Sequence, residues 1–255
     1  MYKEMFDLTG RVAIITGGSR GIGESIALAL SEFGARVALC SRKIEGLDAV
    51  REKIESRGGE AICIPAHTGK VETLQAVVDE TLDAFGTIDI LVNNAATNPI
   101  LGPLLEAELP AWEKIMDVNL KGIFFLTKAA GEVMLEKSKG SIINLSTEAA
   151  IRPAPGLGVY SISKAGVDMV TKSFALEWGG KGIRVNGIAP GLVQTRFSQA
   201  LWANDDIRQA VETKIPLGRM AQPDEIACLA VYLASDASSF LTGQTILVDG
   251  GSMLA

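Results

Sequence analysis

Short apolar runs and helix-length segments alternate along almost the whole chain, and no other feature of the sequence restricts its fold as much. Runs rich in valine, isoleucine and leucine recur at Val12–Thr16, Arg36–Cys40, Ala61–Pro65, Ile88–Asn93, Ser141–Leu145, Arg184–Ile188 and Thr245–Val248. Their brevity and their Gly, Pro or Asn borders mark strands. Between them stand segments of helical length: Ile22–Phe33, Leu47–Ser56, Val71–Ala84, Trp112–Leu135 and Tyr160–Trp178. This strand–helix rhythm predicts an α/β fold, a doubly wound parallel sheet with helices on both faces. No Pro/Gly/Ser-rich linker, low-complexity tract or repeat divides the chain, so a single domain over residues 1–255 is expected.

The rhythm breaks at Phe197–Pro216, which carries Trp202 and the acidic pair Asp205-Asp206. An insertion after the carboxyl end of a strand lies where α/β folds place their ligands. A substrate lid around 192–216 is one reading and an ordinary surface helical hairpin is the other.

Composition removes several classes of function. Lys+Arg total 24 against Asp+Glu 30, a formal net charge of −6, so nucleic acid and anionic membrane are poor partners. The longest uncharged stretch, Ile90–Leu105, is broken by Asn93, Asn94, Asn98, Pro99 and Pro103 and does not suit a bilayer span. Acidic residues near the N-terminus replace the apolar centre of a signal peptide. Cys40, Cys63 and Cys228 form no C-x-x-C and stand in apolar settings, expected to be inert core. With one histidine in the chain they argue against a metal site and for a reducing, cytoplasmic location.

Chemistry enters at the first strand–helix junction, Gly17-Gly18-Ser19-Arg20-Gly21-Ile22-Gly23. Glycines here permit a tight turn and close approach of a pyrophosphate to a helix N-terminus. At the end of the second strand a carboxylate would bind the ribose 2′-hydroxyl of NAD. The chain has Ser41 and Arg42 instead, and Arg20 in the glycine turn supplies a second cation. Arginine forks suit a 2′-phosphate, which points to NADP. Further on, Tyr160 and Lys164 stand at i and i+4 on one helix face, where an ammonium can lower the phenol's pKa.

Together with these, Asp89-Ile90-Leu91-Val92-Asn93-Asn94-Ala95, Asn119 and Pro190-Gly191-Leu192-Val193-Gln194-Thr195 occur in order and at matching spacing. Over essentially its whole length the sequence resembles the classical short-chain dehydrogenase/reductase family. Cys63–Gly69, Asn93–Pro99 and Phe197–Trp202 look like its NADP-dependent carbonyl and retinal reductase branch. The resemblance implies a Rossmann-type fold, NADP as cofactor and hydride transfer between NADP(H) and a small-molecule carbonyl or alcohol. Tyr160 would exchange a proton with the substrate oxygen. Lys164 would bind the nicotinamide ribose and tune the tyrosine, and Asn119 would hold a relay water. Gly17, Ser19, Arg20 and Ile22 would line the phosphates, while Asn93 and Ala95 flank the adenine-side ribose. Beyond Pro190-Gly191, Val193 and Thr195 would hold the carboxamide and pyrophosphate.

The chain departs from the family pattern twice. His67, followed by Thr68, replaces the aspartate near the adenine amino group. Thr147 replaces the catalytic serine thirteen positions before the tyrosine, with Ser146 one residue too early. Trp112 and Trp178 lie on the helices that build a four-helix interface in this family, so the resemblance implies a homotetramer. Phe124-Phe125 fit helical packing. Two rival functions stay open. One is reduction of 3-oxoacyl thioesters, with Lys121 and Lys128 as a docking patch for an acidic carrier protein. The other is a non-catalytic NADP sensor or scaffold.

Overall fold

The computed structural model describes residues 2–254. Seven parallel strands stand in the order β3-β2-β1-β4-β5-β6-β7. They are β1 (Val12–Thr16), β2 (Arg36–Ser41), β3 (Ala61–Pro65), β4 (Ile90–Asn93), β5 (Gly140–Leu145), β6 (Ile183–Pro190) and β7 (Thr245–Val248). The helices are α1 (Gly21–Glu32), α2 (Ile44–Glu55), α3 (Leu74–Phe85), α4 (Leu109–Met116), α5 (Gly122–Glu136), α6 (Gly158–Trp178), α7 (Asp205–Glu212) and α8 (Pro223–Ala234).

Alternation along each strand feeds two cores. In β1, Ala13 and Ile15 face a layer containing Ile26, Leu47 and Ile226 of α1, α2 and α8. Val12 and Ile14 face Val77, Leu126 and Phe174 of α3, α5 and α6. Burial on both faces explains why the strands read as continuous apolar runs. The chain reverses direction across the sheet between β1 and β4, and loops from the carboxyl ends of the strands gather at that crevice.

The structure corrects the reading of two helices and of the cysteines, and adds detail at the aromatic residues. Helix α8 was not foreseen, and the long fourth helix begins at Leu109 and is interrupted by a π turn at Asp117–Lys121. Among the cysteines only Cys40 is core; Cys63 is half-buried and Cys228 is exposed on α8. Trp178 packs within the core at 4.4 Å from the Phe174 ring, leaving Trp112 as the exposed one. Phe124 contacts Phe125 and Phe174 at 5.3 Å, yet both Phe124 and Phe125 stay exposed.

Candidate active site

The chain leaves β1 through a turn in which Gly17 N and Gly18 N both donate to Cys40 O, at 2.7 and 3.3 Å. Gly17 has φ +67°, where a side chain is strained. Gly23 lies so close beneath that a Cβ on it would stand 2.3 Å from Gly17 O. A neighbouring strand then ties the turn. Asn94 Nδ2 donates to Thr16 O at 2.9 Å and to Gly17 O at 3.2 Å. The backbone N–H groups of Asn94 and Ala95 donate to Thr16 Oγ1 at 2.9 and 3.1 Å. Residue type alone does not single out Thr16 or Asn94; their places in the two motifs were the signal.

The donor set at this turn suits a dinucleotide. No side chain caps α1, so its first amides stay free to meet a phosphate. Ser19 and Ile22 are half-buried, whereas Arg20 and Arg42 are exposed. A Cβ on Gly46 would stand 3.1 Å from Ser19 Cβ, so the start of α2, just after Arg42, abuts the turn that carries Arg20. The Ser41 hydroxyl is bound locally, donating to Lys43 O at 3.1 Å. After β3, His67 Nδ1 accepts from Gly69 N at 3.1 Å, and the Thr68 carbonyl rests against Gly122. On the opposite wall, Pro190 ends β6 and Gly191 N donates to Val248 O at 2.9 Å. Val193 is buried there, and Thr195 reaches over the turn: a Cβ on Gly21 would stand 3.3 Å from Thr195 Cγ2.

Asn93 is turned elsewhere. Its Nδ2 donates to Thr127 Oγ1 at 2.9 Å and to Asn144 Oδ1 at 2.8 Å, deep between sheet and helix. The Asn93 side chain is thus committed to this network, so a place beside a ribose would fall to its backbone.

Tyr160 and Lys164 occupy the first two turns of α6, and Lys164 reaches back to the sheet. Its Nζ donates to Leu145 O at 2.5 Å, fastening α6 to the strand end that carries Thr147. Asn119, fully buried in the π turn, accepts from Thr97 N at 2.8 Å. Its Nδ2 donates to Thr97 O at 3.0 Å and to Ser163 Oγ at 3.2 Å. Ser163 Oγ donates in turn to Tyr160 O at 2.7 Å. The structure thus brings Asn119, Thr147, Tyr160 and Lys164 to one place. Ser163, inside the Tyr–Lys spacing, is the link that sequence reasoning missed.

Thr147 Oγ1 accepts from Ala149 N at 3.3 Å and donates only at 3.5 Å to Pro190 O, a stretched contact. Ser146 Oγ is buried and lacks a partner among the described residues. From the segment after β6, the Phe197 ring lies 6.0 Å from the Tyr160 ring, and Trp202 Nε1 donates to Thr195 O at 3.0 Å. Asn204 caps α7 by accepting from Asp206 N and Ile207 N.

Burial dominates the titration of the pair. The Tyr160 phenol is pushed up to about 12 by desolvation, opposite to the expected depression. The reason is distance and hydrogen bonding: Lys164 Nζ lies 5.9 Å from the ring centroid and is engaged by Leu145 O. Desolvation also pulls Lys164 down to about 8, against a smaller opposing pull from Asp168. An amine whose folded pKa is depressed binds fewer protons than it does in the unfolded chain. The Lys164 contribution to stability should therefore grow between about pH 8 and 10, by ~3 kcal/mol at most. The thiols of Cys40 and Cys63, raised by burial, pull overall stability the other way from about pH 9, and the raised Tyr160 joins them above pH 10, because each ionises first in the unfolded chain. Urea unfolding of the parent and of Lys164→Met isolates the lysine: the stability difference between the two should shift toward the parent from pH 8 to 10.

Known proteins resemble this chain over nearly its whole length. The family described as enoyl-(acyl carrier protein) reductase matches residues 17–253. Dehydrogenase/reductase SDR family member 4 of Oryctolagus cuniculus is 38% identical over 96% of this chain and 94% of its own. A 3-oxoacyl-[acyl-carrier-protein] reductase of Synechocystis sp. is 40% identical over 98% of this chain and 100% of its own. Among solved structures, a gluconate 5-dehydrogenase from Burkholderia cenocepacia J2315 in complex with NADP and tartrate superposes with a TM-score of 0.95. It is 34% identical, with full coverage of both chains.

Proposed function

The chain belongs to the short-chain dehydrogenase/reductase family, and from that premise we propose that it is an NADP(H)-dependent reductase of ketones or aldehydes. The observation that carries the reading is the convergence of Thr147, Tyr160 and Lys164 beside the glycine turn, through the Lys164–Leu145 bond. When bound, the nicotinamide supplies or accepts the hydride. Thr147 polarises the substrate carbonyl with its hydroxyl, whose stretched bond to Pro190 O is weak enough to exchange. Tyr160 gives its proton to the carbonyl oxygen. Lys164 would hold the nicotinamide ribose; 5.9 Å from the ring and engaged by Leu145 O, it does not offset the burial of the phenol, so Tyr160 acts from its protonated state. Asn119 has its amide committed to Thr97 and Ser163, which fixes the π turn beside α6 where it would hold a relay water.

An apolar rim supports carbonyl substrates with an apolar body. Leu101, Leu104, Ile151 and Phe197 are exposed. Phe197 lies against Tyr160, and Leu104 touches Gly158 two residues before it. These contacts also support the reading of 192–216 as a lid over the substrate. The carrier-protein rival loses part of its docking patch, since Lys121 pairs with Asp117 at 2.5 Å. The sensor rival does not need Tyr160, Lys164 and Thr147 gathered together. Exposed Trp112, Phe124 and Phe125 support a homotetramer, and the unpaired cysteines support a cytoplasmic setting. No described helix is long and apolar enough to cross a membrane.

NADPH oxidation with diketones, aromatic ketones, retinoids and 3-oxoacyl thioesters tests the reading; no turnover with any carbonyl would overturn it. For the cofactor, Arg42→Ala should weaken NADPH by about ten- to hundred-fold, the worth of a charge-assisted phosphate pair of ~1.5–3 kcal/mol. NADH should be barely affected. Equal efficiency of the parent protein with both nucleotides would reject the preference.

A further inference from the structure

The C-terminal turn after β7 comes back to the carboxyl edge of the sheet and meets the active-site loop. Asp249 shapes it, accepting from Gly251 N and Met253 N at 2.9 Å each and from Ser252 Oγ at 3.3 Å. Ser252 is gripped twice by the residues just after Thr147. Its Oγ donates to Glu148 Oε2, and Arg152 Nη2 donates to its carbonyl at 2.7 Å. The Glu148 carboxylate also lies beneath the exit of β6, 3.1 Å from where a Cβ on Gly191 would stand. The far end of the lid is fastened to the same turn: Leu217 N donates to Gly250 O at 3.1 Å, and Pro216 packs on Gly251.

We propose that Glu148 and Ser252 are positioning residues, and that the C-terminal turn is a clamp setting the Thr147 loop against the lid and the β6 exit. The inference rests on the reading above, in which Thr147 faces the substrate. Thr147's own hydroxyl bonds, at 3.3 and 3.5 Å, are too long to fix its loop. The Glu148–Ser252–Arg152 contacts fix it one residue away. The charged groups facing Glu148 are Arg152 on its own loop and Asp249 on the C-terminal turn. Burial chiefly raises the Glu148 pKa, and Asp249 adds to this, while the Ser252 hydrogen bond and Arg152 oppose them. A protonated Glu148 accepts the Ser252 hydrogen bond more weakly. The clamp therefore loosens as pH falls through a value above 4.5, the ordinary glutamate pKa.

The test compares the full chain with Ser252→Ala, Glu148→Gln and the double variant. It measures kcat and KM for one ketone, nucleotide affinity by fluorescence, Tm, and kcat against pH. Each single variant should lower kcat about tenfold with nucleotide affinity unchanged. The double variant should be no worse than the poorer single one, as expected of two members of one contact. Glu148→Gln should also abolish the acid limb of kcat. Additive losses, an unmoved acid limb, or a kcat loss that only parallels lower Tm and nucleotide affinity would each overturn the clamp. A parent protein that reduces no carbonyl would overturn the functional reading and the clamp with it. An active parent indifferent to both substitutions sinks the clamp alone.

Discussion

Tyr160→Phe should lower turnover by at least 10²–10⁴-fold, the range of general acid–base catalysis, while leaving the fold and nucleotide binding intact. The substitution removes one oxygen and keeps the ring that packs toward Phe197 at 6.0 Å. The phenol, held near 12 by burial, keeps its proton until a substrate oxygen takes it. Steady-state kinetics with one ketone, beside a nucleotide titration, checks both halves. Near-normal turnover in the phenylalanine variant would move the chemistry to another residue.

The second large effect separates two adjacent hydroxyls. Thr147→Ala should cost about 10²–10³-fold in turnover, as when one donor to a developing oxyanion is deleted. Thr147→Ser should keep activity, because the donor survives and only a methyl is lost. Ser146→Ala should matter far less. Ser146 Oγ is buried without a partner among the described residues, so its removal leaves no new orphan there and costs little stability. Thr147 is only half-buried, with its hydroxyl loosely held. If the Ser146 variant is the crippled one, the roles are reversed.

Sequence pattern was most legible where backbone and burial agree. Val12–Thr16, Ala61–Pro65 and Thr245–Val248 stand as strands with the expected bounds, because short apolar runs between turn residues suit strands, whether fully buried as in the first or at the sheet edges as in the other two. Helix α8 had readable start signals, Pro223 at its first turn and the Gln222–Glu225 capping box. Its run of Ile226, Ala227, Ala230, Val231, Leu233 and Ala234 is buried on so much of its circumference that no polar stripe marks a period. The π turn is beyond local reading, since Asp117–Lys121 is ordinary helical sequence. Its contacts lie far away in the chain, where Asn119 meets Thr97 and Ser163. Site residues were legible by spacing, but their electrostatics were not. Whether Lys164 depresses Tyr160 depends on distance and desolvation, and the four-residue interval specifies neither.

The bonds from Asn94 to Thr16 and Gly17 have a consequence for how the protein resists being opened. The phosphate turn belongs to β1, yet its shape is held from β4, across a junction whose partners lie 77 and 78 positions apart. An N-terminal fragment ending before residue 94 lacks this tie and should bind nucleotide poorly, whatever its secondary structure. In the whole chain, a bound nucleotide becomes a rivet across the β1–β4 seam. Prying that seam apart requires release of the ligand, so nucleotide at a hundredfold excess over its Kd adds about 2.7 kcal/mol against opening. Proteases that cut only after the seam parts will therefore report nucleotide concentration.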